Sequence, residues 1–293
     1  MRCAIALIAC GLATAGCASM APSPSRADPV APVVHGDRAG LELRIWGLRE
    51  GPALDIGGAL APWAADAGPL SPEMRDLWSA NGLRLVRVPI DRLADVQAAL
   101  GSPGAVQRQW LGEHPQWMEL ARGPYSARQV VQLDSGLLRL EPGRLRLLGR
   151  CWVSPSLPGS GMAPRAQVRL DLALQHQGRA RAPSLRDLVD RPPRPPVEAE
   201  GVVFSRFVLE TALDGGAALL ILPERPGARW GEDPTDPEPD ALGPAGPPGP
   251  TLPSLGEAML RQDPAAGSPM RIMLVLIPRL PDDFELAAAT PGP

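Results

Sequence analysis

Apolar and polar positions alternate most clearly at Val168-Arg169-Leu170-Asp171-Leu172-Ala173-Leu174. Successive side chains of a strand point to opposite faces, so this run predicts a strand with one buried and one wet face. Leu41-Glu42-Leu43-Arg44-Ile45-Trp46 alternates in the same way, residues 83 to 90 are β-like, and 127 to 133 and 202 to 213 are further strand candidates. Residues 217 to 222 and 270 to 277 are almost wholly apolar, the signature of central strands covered on both sides. Leu137-Leu138-Arg139-Leu140 and Arg144-Leu145-Arg146-Leu147 flank Glu141-Pro142-Gly143 and predict a hairpin whose leucines share a face.

Helical spacing is confined to the first half. Ser71-Pro72-Glu73-Met74 opens a helix with Ser71 as N-cap and Pro72 at the first position; Met74, Leu77 and Trp78 lie on one face, and Asn81-Gly82 ends it. Asp91 is the expected cap of a second helix, with Leu93, Val96, Ala99 and Leu100 as its apolar stripe. The predicted fold class is therefore α+β. A small mixed α/β unit over 41–134 precedes a mainly antiparallel sheet or sandwich over 135–281. Pro- and Gly-rich loops interrupt the second half at 154–165, 179–200 and 224–250, and a tail follows at 282–293.

The start of the chain has a different character. Arg2 precedes about a dozen mostly apolar residues, against roughly 20 needed to span a bilayer, which reads as an export signal over 1–16. The run ends Ala15-Gly16-Cys17, and this small-small-Cys ending resembles the lipobox of bacterial lipoproteins. The resemblance implies a mature chain that begins at a lipidated Cys17 and is anchored to a membrane by acyl chains. Ala18 stands where an Asp would favour retention at the inner membrane, so the implied destination is the outer membrane. Thr14 occupies a position where that family usually has Leu, which leaves open cleavage after Ala13-Thr14-Ala15. Residues 17–40 are rich in Pro, Ala and small polar groups and read as a tether.

Composition narrows the chemistry. All 29 basic residues are arginine, and a chain without lysine has no Walker A loop, Schiff-base lysine or Ser-Lys dyad. With 32 acidic residues the formal charge is −3, which offers no electrostatic footprint for nucleic acid. Cys3 and Cys10 leave with the signal and Cys17 is acylated. Cys151 is then alone, which rules out an internal disulfide, and reads as a small buried residue on a strand.

Local motifs are sparse. His35, His114 and His176 lack metal-ligand spacing, and Gly159-Ser160-Gly161 is a turn rather than a nucleophile elbow. The acidic run Glu232, Asp233, Asp236, Glu238 and Asp240 is held extended by prolines and reads as a solvated loop, and residues 243 to 251 form three collagen-like triplets that read as a spacer. Glu113 beside His114, flanked by Trp110 and Trp117, is the best grouping of an acid with aromatic rings. Five of the seven tryptophans fall between residues 46 and 117, where core filling and an aromatic binding face compete as explanations. No residue set calls for a cofactor or a metal, and no catalytic set emerges.

A second resemblance covers residues 166–281. Val168-Arg169-Leu170-Asp171-Leu172 is followed by residues 206 to 213, the turn Asp214-Gly215-Gly216 and residues 218 to 222; then come Leu252-Pro253-Ser254-Leu255-Gly256 and a terminal apolar strand that ends Ile277-Pro278-Arg279. This order is similar to the C-terminal region of secretins, the outer-membrane channels of bacterial secretion and pilus systems. In that family the two strands around the Asp-Gly turn form a pair. Leu222-Pro223-Glu224 replaces the family's Gly-Gly-Leu, and no alternating segment is long enough for its membrane hairpins. The resemblance thus implies a secretin-like sheet without a channel.

Together these readings predict a non-enzymatic envelope lipoprotein, membrane-bound through lipid and in contact with other envelope proteins. The alternative is a protein that binds or hydrolyses cell-wall glycan through its Trp-rich first half, with Trp110 and Trp117 as contact residues.

Overall fold

Two strands set the architecture of the computed structural model, which describes residues 39–51, 54–64, 70–101, 105–156, 165–179, 196–226, 230, 252–262 and 268–280. Strand β11 (Ala217–Pro223) is buried throughout and β13 (Met270–Arg279) is buried from Met273 to Pro278, both apolar on two faces there, so each needs cover above and below. They occupy the middle of a six-stranded sheet ordered β2 (Leu83–Pro89), β11, β13, β1 (Gly40–Arg49), β3 (Ala105–Gly112), with β12 (Arg261–Gln262) also paired to β13. A second sheet of five strands runs β10 (Leu209–Leu213), β8 (Arg165–Gly178), β7 (Gly143–Ser156), β4 (His114–Tyr125), with β9 (Val202–Val203) on β8. Every ladder is antiparallel, as the alternating patterns predict.

The sheets pack face to face. Leu41, Leu43, Leu85, Leu219, Ile221, Leu274 and Leu276 from the first meet Leu147, Cys151, Val168, Leu170, Leu172 and Leu209 from the second in one core. On the far side of the first sheet, Trp46, Val86, Val88, Leu220, Met273, Val275 and Ile277 pack with α1 (Ile56–Leu60) and α3 (Leu93–Ala99) in another. The result is a layer of helices, a sheet and a second sheet. Burying a leucine in such a core contributes on the order of 2 kcal/mol.

The sole asparagine ties the layers together. Asn81 ends α2 (Pro72–Ala80), which starts as predicted with Ser71 Oγ accepting the Met74 N–H. The Asn81 side chain is fully buried; its amide donates to Leu77 O at 2.7 Å, and its oxygen accepts from Asp134 N at 3.1 Å in the turn between β5 (Gln129–Leu133) and β6 (Gly136–Leu140). Its carbonyl accepts from Gly256 N at 3.0 Å in α4 (Leu255–Leu260), whose start is locked by the reciprocal Ser254 and Glu257 capping box. Gly82, at φ +81°, turns the chain there, and a Cβ on Gly256 would lie 1.8 Å from the Gly82 oxygen. Only glycine allows that approach.

Several expectations are corrected. Residues 105–125 form β3 and β4, although their polar, Pro-containing sequence carries no clear strand pattern. Asp91 lies inside a 3-10 turn over Ile90–Arg92, α3 begins without a side-chain cap, and Ala99 is exposed rather than part of the buried stripe. The predicted hairpin around Pro142 does not form: β6 pairs with β5, while β7, a long central strand, takes β8 and β4. Residues 202–213 are divided by a 3-10 turn at Ser205–Phe207 into β9 and β10. The Asp214-Gly215-Gly216 turn joins the two sheets instead of closing a strand pair, because β11 needs cover on both faces and β10 on one. Both sheets mix strands from 41–134 and 135–281, so no domain boundary falls between the two halves.

The outer face of β8 is not wet either. Asp171, Ala173 and Gln175 are buried there. A strap with a 3-10 turn at Val197–Glu200 crosses that face, held by Arg146, which is 2% exposed and donates to Gln175, Glu200 at 3.0 Å, Glu119 at 3.5 Å and Val197 O at 3.0 Å. A buried guanidinium persists only with its donors met in this way.

The signal and Cys17, the tether as far as residue 38 with His35, Gly159-Ser160-Gly161, the acidic run, the collagen-like triplets, the tail and most of each long loop lie outside the described residues, while Ala39 and Gly40, read as the end of the tether, are a core residue and the start of β1.

Removing the buried Asn81 amide leaves a gap in the core and takes the bonding partner from the Leu77 carbonyl and the Asp134 N–H. Asn81→Ala should cost about 2 kcal/mol in urea unfolding, whereas Leu137→Ala, at a site 67% exposed, should change stability by less than about 0.5 kcal/mol. Equal effects would contradict the role given to Asn81.

Candidate interaction site

Each of the two larger sheets ends in two edge strands along its main path, and three of these four are protected. β2 has α2 packed beside it and is buried along most of its length. β10 has five residues, three of them buried. β4 contains Pro115 and Pro124 and shifts register twice against β7, which breaks the row of groups that another strand would read.

β3 has none of these protections. It runs eight residues without proline, pairs only with β1 and carries one irregularity, at Leu41/Glu42. Val106, Gln107, Arg108, Gln109 and Trp110 are all exposed, including both large apolar ones, Val106 at 40% and Trp110 at 46%. Its outward row of N–H and C=O groups has no backbone partner among the described residues.

The register defines two faces. Val106, Arg108 and Trp110 lie across from Trp46, Arg44 and Glu42 of β1, on the side of the sheet that carries α1 and α3. Gln107 and Gln109 lie across from Ile45 and Leu43, on the side of the second sheet. There, between β3 and β4, a cleft of about 450 Å³ reaches core residues Ile45, Leu120, Met259, Ile272 and Leu274, with Gln107, Glu119 and Arg122 among its polar lining.

The edge is basic. Arg108 has no ion pair among the described residues. Glu42 accepts from Arg44 and Arg279, each at 2.6 Å. Burial alone would raise the Glu42 carboxyl, but the bonds and charges of Arg44 and Arg279 outweigh it and hold the group below the ordinary carboxylate range. One carboxylate thus faces three guanidiniums on this side of β3.

Trp110 and Trp117 are not brought together as one platform. Trp110 is on β3; Trp117, on β4, lies under the Arg150 guanidinium at 4.9 Å, which also covers Trp152 at 5.5 Å and pairs with Asp171 at 2.7 Å. That arginine already occupies the Trp117 face a sugar would stack on. Glu113 accepts the Val153 N–H at 2.8 Å and pins the β3–β4 corner to β7. His114 and His176 pair with residues well apart along β7, and His176 stacks against Tyr125 with ring centroids 6.0 Å apart. Cys151 is buried as expected; burial pushes its thiol up to about 11, and its Sγ donates to Gly112 O at 3.3 Å. Among the described residues no cluster of His, Cys, Asp or Glu is arranged to hold a metal.

Sequence reasoning missed a buried carboxylate. Glu224, 6% exposed, accepts from Arg84 and from the Trp230 indole, and Arg84 lies 4.5 Å over that ring. Burial raises the Glu224 carboxyl, and its bond and charge interaction with Arg84, the Trp230 bond and the charge of Arg271 offset this only in part. Glu50 shares the same cleft and is held the other way: burial raises it, but bonds and charges from Arg271 and Arg261 bring it below its ordinary value. No spacing in the sequence links residues 50, 84, 224 and 230. The set reads as an ion-pair network between the β1 end and the β11 end, with its acceptors already engaged.

Comparison with protein-family models, curated proteins and solved structures gives no match.

The lowered Glu50 carboxyl makes a signed prediction. A depressed folded-state value stabilises the fold above the unfolded value near 4.5, and that contribution is lost as pH falls through the folded one. Glu50→Gln should therefore melt below the parent protein at pH 7 and converge with it in acid, as thermal unfolding between neutral pH and about pH 3 will show. A constant gap across that range would contradict the assignment.

Proposed function

We propose that this chain is a non-enzymatic lipoprotein of the bacterial cell envelope, anchored through acylated Cys17 at the outer membrane, whose sandwich docks an envelope protein along β3. The observation that carries the docking role is the unprotected edge. A sandwich ordinarily blunts such a strand, and β3 instead presents a backbone row and an arginine that have no partner among the described residues, beside an exposed tryptophan.

The lipobox resemblance supports the anchor, since a lipid-held protein needs no membrane hairpins to stay at a membrane. The order of motifs over 166–281 gives weaker support to a place in or beside a secretion or pilus assembly, because the Asp214-Gly215-Gly216 turn joins the two sheets instead of closing a strand pair. A glycan-binding role through paired tryptophans has less support, with Trp117 engaged by Arg150 and Trp110 on a different sheet.

Cell fractionation and site-specific photocrosslinking test the two parts. Cys17→Ser should move the protein from the membrane to the soluble fraction. A crosslinker in place of Val106 or Trp110 should give one discrete protein adduct in membranes, and one at exposed Asp95 in α3 should give none. Diffuse products at β3, or cosedimentation with cell-wall sacculi that Trp110→Ala abolishes, would overturn the docking role.

A further inference from the structure

The β3 edge and the cleft behind it constrain what docks there. A lipid acyl chain would fill apolar space but leave the outward N–H and C=O groups of β3 against hydrocarbon, where unmet polar groups are costly. A partner helix uses its own backbone groups internally and leaves the row equally unmet. A second copy of this chain answers the charge less well: β3 holds no Asp or Glu, so in no antiparallel pairing of β3 with itself does Arg108 meet a carboxylate of the facing strand, and in the register that sets Arg108 opposite Arg108 like charges repel.

Resting on the docking role proposed above, we infer that β3 takes an extended peptide segment of another protein as an added strand, with an acidic residue beside Arg108. Side chains on one face of that segment lie beside Val106, Arg108 and Trp110, which suits an apolar, acidic, apolar series. Side chains on the other face lie beyond Gln107 and Gln109, over the mouth of the cleft between the sheets, whose floor of Ile45, Leu120, Ile272 and Leu274 suits apolar residues. Backbone bonds supply the affinity and the alternate side chains the selectivity. The charge argument is specific to this edge, because Arg44, Arg108 and Arg279 cluster here in a chain whose formal charge is −3.

A random phage-displayed library of peptides about twelve residues long covers an eight-residue edge with flanks. Panned on the full chain in detergent, it should return sequences of alternating apolar residues with a central Asp or Glu. A synthetic copy of the best one should bind roughly tenfold more weakly to Arg108→Glu and nearly normally to Arg108→Lys, as the loss or retention of one charge pair predicts. N-methylation of every second backbone nitrogen, tried in both phases, should abolish binding in one phase and spare it in the other. Binding that survives both phases, or is indifferent to Arg108→Glu, overturns the inference. A discrete crosslink at Val106 or Trp110 in membranes with no peptide recovered overturns the added strand and leaves the docking role standing. Peptides that meet all three criteria without any crosslink in membranes support the strand mode and count against the docking role.

Discussion

Two strands that are apolar on both faces dictate this molecule. β11 and β13 expose no polar face that water could cover, so the fold has to supply a layer on either side of them. Helices α1 and α3 close one side and the second sheet closes the other. Placing them centrally recruits β1 and β2 as neighbours from the first part of the chain, which interleaves the two halves. Asn81 then fixes where the chain turns between layers, with a side chain and a carbonyl that reach α2, the β5–β6 turn and α4.

Among the described residues, charged groups are buried in this apolar framework only where they are met. Arg146 secures the strap across the outer face of the second sheet, Arg150 lies against two indoles and Asp171, and Arg84 pairs with buried Glu224. Without lysine, these positions all use the planar guanidinium, which makes several directed bonds at once and stacks on rings. Arg108 has no such partner among the described residues, and it sits on the one edge strand of the two larger sheets that proline, repeated register shifts or packing leave unguarded. The functional reading rests on that open edge.

Patterns of burial were legible in the sequence, and pairings were not. The α2 helix was readable from Ser71, Pro72 and the spacing of Met74, Leu77 and Trp78, and the apolar runs of β11 and β13 announced central strands. Alternation reports how many faces are buried, not by what. The outer face of β8 looked wet because Asp171 and Gln175 are polar, yet a strap and two arginines cover it. β3 escaped notice for the reason that makes it interesting: a strand exposed on both faces has no apolar period to read. Trp110 was a candidate from tryptophan density alone, and its position on that edge came only from the fold.

Amide hydrogen exchange across residues 105–111 tests the central claim most directly. In the purified protein, alternate amides of β3, those not bonded to β1, should exchange as fast as a loop, and in native membranes the same amides should become protected. Slow exchange at every β3 amide in the purified protein, or fast exchange that persists in membranes, would contradict an edge that is open in isolation and paired at work.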